Sequence, residues 1–125
     1  MTAYHYTTAE RAEQIIDSGA IRPATKNVPE GEQPVVWFSK ARTWEPTASK
    51  GLLYPTGLSR FATFPEMARI GIARCRVAQA GLIAWPDVPA ANGMSLAEAD
   101  KLARAGRKQG ANPKDWLVSL RSVPL

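Results

Sequence analysis

Apolar and polar positions alternate at the start of the chain and then change period. Ala3 to Tyr6 reads as a short extended segment, with His5 on one face and Tyr4 and Tyr6 on the other. From Thr7 the pattern turns helical: Thr7 and Glu10 form an S/T-x-x-E capping box, Ala12, Ile15 and Ile16 make an apolar stripe, and Gly19 ends the run. His5 therefore falls at a strand-to-helix junction. Ala20 to Arg22 predicts another short strand, and Pro23 opens a polar loop with Pro29, Gly31 and Pro34, long enough to cover a site. Val35 to Ser39 then predicts a buried strand.

Pro46 stands where a short helix through Thr47, Ala48 and Ser49 would begin. Gly51, Pro55, Gly57 and Pro65 punctuate a second loop, and Ala68 to Val77 reads as a strand whose apolar positions switch face, implying a bulge near Ala73. Gly81 to Trp85 predicts a short strand, followed by a Pro/Ala/Asn/Gly loop. Ser95 and Glu98 form a second capping box, opening a helix with Leu96, Ala99, Leu102 and Ala103 inward and Gly110 as its stop. Trp116 to Leu120 predicts a last strand. The expectation is an α+β chain of short strands with two main helices, in one domain spanning residues 1–125.

Composition narrows the chemistry. The single Cys75 excludes an internal disulfide and reads as a small core residue, and one histidine leaves no zinc cluster. No apolar run approaches the ~20 residues of a membrane span, and the first residues are polar, so the expectation is a cytoplasmic protein with neither membrane nor metal partner. The net charge of +5 fits a polyanionic partner or a nucleotide. Basic residues such as Arg11, Arg22, Lys26, Lys50, Arg60, Arg74 and Arg76 are dispersed, however, which is equally the pattern of a solvated surface. Trp44, Trp85 and Trp116 read first as packing residues and second as base-stacking platforms.

One constellation goes further. Tyr4-His5-Tyr6-Thr7, an amphipathic helix and Ile15-Ile16-Asp17-Ser18-Gly19-Ala20-Ile21-Arg22-Pro23 together resemble the first motif of the ADP-ribosyltransferase superfamily, of the diphtheria-toxin and poly-ADP-ribose-polymerase type. Val35-Val36-Trp37-Phe38-Ser39 is similar to that family's second motif, with Trp44 to Lys50 in the place of its short helix. The resemblance implies a split β-sheet core and NAD as co-substrate. It places His5 at a ribose hydroxyl, the Tyr6 main chain at the nicotinamide amide with Thr7 beside it, Trp37 stacked on the nicotinamide, and Ser39 at ribose or phosphate. Phe38 would then enter the core, since consecutive strand residues face opposite ways.

Catalysis in such a site rests on positioning and on a carboxylate that supports a ribosyl cation. The family's Glu beside a late strand has no counterpart here, because no Glu follows Glu98. Asp115, just before the last strand, stands nearest the expected place, and Glu45 is the alternative. The resemblance thus implies transfer of ADP-ribose to a protein or nucleic-acid acceptor, in a bacterial or phage effector, toxin or counter-defence factor. Two alternatives remain open: an inactive binding module on the same fold, and an RNA 2′-phosphotransferase-like enzyme, which needs basic residues instead of the Glu but lacks here its early Arg-His-Gly arrangement.

Overall fold

The computed structural model describes residues 1–25, 28–48, 51–53 and 59–125, with only the backbone described over 51–53 and 59–61. Lys26, Ser49, Lys50, Pro55 and Gly57, and the side chain of Arg60, therefore lie outside the described residues. The chain is mixed α and β. Its centre is a five-stranded antiparallel sheet of order β6-β1-β3-β8-β7. These strands are β1 (Thr2–Thr8), β3 (Val36–Ser39), β6 (Ile72–Ala78), β7 (Ile83–Ala84) and β8 (Trp116–Ser119). Two small ribbons accompany it: β2 (Ala20–Ile21) with β9 (Val123–Pro124), and β4 (Gly51–Leu53) with β5 (Ser59–Phe61).

Strand β1 is in register with β6 along its whole length, from Thr2 opposite Ala78 to Thr8 opposite Ile72. That pairing carries the strand past the expected helix start. The N-cap of α1 (Ala9–Ser18) is consequently Thr8, whose hydroxyl accepts from the Arg11 N–H, and not Thr7. The helix ends, as its sequence implies, at Gly19, which takes the left-handed conformation with φ 78°. Ile15 packs on the core, but Ile16, one position round the helix, is 68% exposed.

Alternation divides the sheet into two faces. Ala3, Val36, Phe38 and Leu117 pack with Ile21 of β2 into the buried core, with Ile15, Cys75, Val77, Leu82 and Val123 around them. The opposite face carries Tyr4, Tyr6, Trp37, Ser39, Trp116 and Val118, as the pairings Tyr4–Ser39, Ser39–Trp116 and Trp37–Val118 require.

Three readings of the second half change. Residues before Ile72 form α2 (Phe64–Ile70), because Thr63, Pro65 and Glu66 make a complete capping box with proline in the first turn. Ile70 is thus helical, β6 is unbroken, and the switch of face needs no bulge. The Pro/Ala/Asn/Gly stretch contains a 3-10 turn, Trp85–Asp87, and α3 (Val88–Asn92). In α4 (Leu96–Lys108), capped by Ser95, the buried stripe is Ala99, Ala103 and Gly106, whereas Leu96 is 81% exposed and Leu102 is also exposed.

Small residues face inward there because the helix lies against the Trp116 indole. A Cβ on Gly106 would stand 2.5 Å from the indole's Cζ2. Gly106→Ala is therefore expected to destabilise the fold by about 1–3 kcal/mol, the usual cost of overpacking, despite alanine's better helix propensity. Thermal melts check this, and a variant at least as stable as wild type would show that the helix can move off Trp116.

Candidate functional site

Between α1, β1, β2 and the start of β3 lies a cleft of about 370 Å³. It is built from a single helical face, Arg11, Gln14, Ile15 and Ser18, which recur at i, i+3, i+4 and i+7. His5 and Thr7 of β1 form one wall, Ala20 to Arg22 another, and Val35 to Trp37 the third. Unlike the β1–β6 ladder, that between β1 and β3 is confined to Tyr4 opposite Ser39. The side chain of His5 spans the two strands instead, with Nδ1 2.8 Å from the Trp37 carbonyl oxygen.

A carbonyl only accepts, so this bond fixes the neutral tautomer: Nδ1–H donates to Trp37 and Nε2 keeps its lone pair. The ring also meets Phe38 edge-on at 5.8 Å. Burial lowers the imidazole pKa from its ordinary 6.5; the bond to Trp37 opposes the shift and the positive charge of Arg11 adds to it. A neutral His5 is thus an acceptor at the cleft, while Arg11 and Arg22 supply cationic donors. Among the described residues no Asp or Glu belongs to the cleft wall.

The remaining expected site residues stand elsewhere. Phe38 is in the core, as alternation implies, but the Trp37 ring projects from the opposite face to His5 and lies 6.0 Å from Trp85 and 6.2 Å from Trp116. Trp37 also lines the cleft, where alternation leaves its main chain and not its ring on the His5 side. Ser39 is buried, donates to Glu45 Oε1 at 3.0 Å and accepts from the Ala41 N–H, so its hydroxyl is committed within the protein. The Tyr6 ring lies on the Trp37 face, where its hydroxyl donates to the Ala41 carbonyl.

Neither candidate carboxylate joins His5. Glu45 is buried on the far face and accepts from Ser39 Oγ, the Trp116 indole N–H at 3.0 Å, and both N–H and Oγ1 of Thr47 at 3.1 and 2.9 Å. Asp115 closes the 3-10 turn Pro113–Asp115, and its carbonyl accepts from the Lys40 N–H. It precedes β8 at the Ser39 end of the sheet, two strands or roughly 10 Å across from β1. Sequence reasoning missed Arg11, Gln14 and Arg22 as site residues, although the helical spacing from Arg11 to Ser18 beside His5 carries that signal.

Among the described residues no group of three or more His, Cys, Asp or Glu could hold a metal ion, and no helix is long and apolar enough to cross a membrane. Compared with known proteins, the chain matches no family model, no curated protein and no solved structure.

His5 is the only histidine, so one imidazole resonance reports its titration. Its midpoint is expected below 6.5 by NMR. Because the folded value lies below the unfolded one, the unfolded chain takes up the proton first as pH falls. The neutral ring therefore contributes stability above about pH 6.5 that is lost as pH drops through the folded pKa. A midpoint at or above 6.5 would contradict the half-buried, carbonyl-bonded state.

Proposed function

We propose that the chain is an ADP-ribosyltransferase-like binding module that holds NAD in the cleft beside His5 without transferring ADP-ribose. The observation that carries this reading is the composition of the cleft wall: a neutral imidazole, two arginines and no carboxylate. His5 Nε2 accepts from a ribose hydroxyl, and Arg11 and Arg22 bind the pyrophosphate by charge-assisted hydrogen bonds. Support for a ribosyl cation is what the cleft lacks. Asp115 stands across the sheet, and Glu45 is used up in holding the opposite face together.

The same composition favours a second reading. An RNA 2′-phosphotransferase-like enzyme also works with basic residues and no Glu, and nicotinamide release that depends on added 2′-phosphorylated RNA would select it.

Under the binding-module reading, calorimetry should register NAD at millimolar concentration or below. His5→Ala is expected to weaken binding about tenfold, as the loss of a hydrogen bond of ~1.5 kcal/mol implies, and Arg11→Gln to flatten its salt dependence. ADP-ribose should bind within about threefold of NAD, since the Trp37 ring offers the nicotinamide no stacking surface. Absence of NAD binding would sink the proposal. Labelled ADP-ribose transferred to a lysate acceptor, and lost in Asp115→Asn or Glu45→Gln, would replace it with the transferase.

A further inference from the structure

The face of the sheet opposite His5 carries a second constellation. Tyr4, Tyr6, Trp44 and Phe64 follow one another with ring centroids 6.3, 5.2 and 5.8 Å apart. They come from β1, the segment after β3 and the first residue of α2, so no linear motif shows them together. Phe64 ends the file and is 43% exposed. Along its edge run the exposed Arg74 and Arg76 of β6, which pair with Tyr6 and Tyr4 on the same face. The Arg74 guanidinium stands 4.5 Å from the centre of the Tyr4 ring and also donates to the Arg42 main-chain carbonyl.

We infer that this face binds single-stranded nucleic acid, with unpaired bases against the aromatic file and phosphates on the arginines of β6. Aromatic rings beside a cationic edge are the two components such binding needs, because every base has a stackable face and every nucleotide a charge. Charge complementarity favours this occupant over an apolar peptide. The nearby carboxylates do not oppose it: Glu45 is buried among its donors, and Glu66 is bonded to Thr63 at the head of α2. Arg74 and Arg76 share a face as alternate residues of β6, and the β1–β6 register sets them beside Tyr6 and Tyr4. A single strand fits better than a duplex, whose paired bases cannot reach the rings.

The test uses fluorescence anisotropy of the whole chain with labelled oligo(dT) and oligo(rU) of about ten nucleotides, and with a duplex of equal length. Both single strands are expected to bind, more tightly than the duplex, with an affinity that falls as salt rises. Arg76→Gln should lower the magnitude of the log–log salt slope by about 0.7, one phosphate contact on a single strand, and Arg76→Lys should restore it. Phe64→Ala should weaken binding about tenfold with the slope unchanged, as loss of stacking without loss of charge requires. Both Arg76→Gln and Phe64→Ala leave NAD binding as in wild type, which separates this face from the His5 cleft. The inference is overturned by absence of binding at low salt, by equal affinity for duplex, or by a Phe64→Ala or Arg76→Gln chain that binds as wild type does.

Discussion

A buried carboxylate organises the molecule. Glu45 is removed from water and must find all its hydrogen bonds inside the protein, because an uncompensated charge there costs several kcal/mol. It finds them at Ser39 on β3, Trp116 on β8 and Thr47 in the turn beyond. Those bonds tie β3 and the turn after it to β8. With Trp116 fixed, α4 closes against its indole through Gly106, and Trp37 and Trp85 complete the packing around it. Strand β3 is held in turn, and its Trp37 carbonyl is presented to His5. The tautomer of the histidine thus rests on a carboxylate on the other side of the sheet.

The period of two along β1 and β3 separates two kinds of chemistry. His5 shares its face with Phe38 and the core, beside α1, where partial burial lowers the imidazole pKa. Tyr4 and Tyr6, its immediate neighbours, face the other way and meet Arg74, Arg76 and Trp44. The motif Tyr-His-Tyr therefore serves two surfaces. Trp37 and Phe38 repeat the division one strand over, which is why the aromatic adjacent to the cleft in sequence does not stand in it.

Local sequence suffices where local physics decides. The stop at Gly19, the cap at Ser95 and the burial of Phe38 follow from turn chemistry and alternation, whereas His5, expected at a strand-to-helix junction, lies in the middle of β1. The errors arose where distant contacts decide. Thr8 replaced Thr7 as the cap because β6 extends the ladder, and α2 stood where the strand pattern seemed to begin early because Thr63 and Glu66 cap each other. Leu96 and Leu102 are exposed, while at the far end of α4 Gly106 meets the Trp116 indole. Arg11 and Arg22 looked like ordinary surface charges until α1 and β2 set them around His5. Nothing local announces that Glu45 is bonded to a residue as distant as Trp116.

The central claim is that NAD enters the His5 cleft and not the side of the sheet that carries Trp37, Trp85 and Trp116. Chemical-shift mapping of the labelled protein with NAD tests it directly, since His5 and the four tryptophan indoles provide reporters on opposite sides. The account predicts that the His5 imidazole and the amides of Arg11 and Arg22 shift with saturating NAD while the Trp37, Trp85 and Trp116 indole signals stay in place. Shifts concentrated on those indoles, with His5 unmoved, would contradict it.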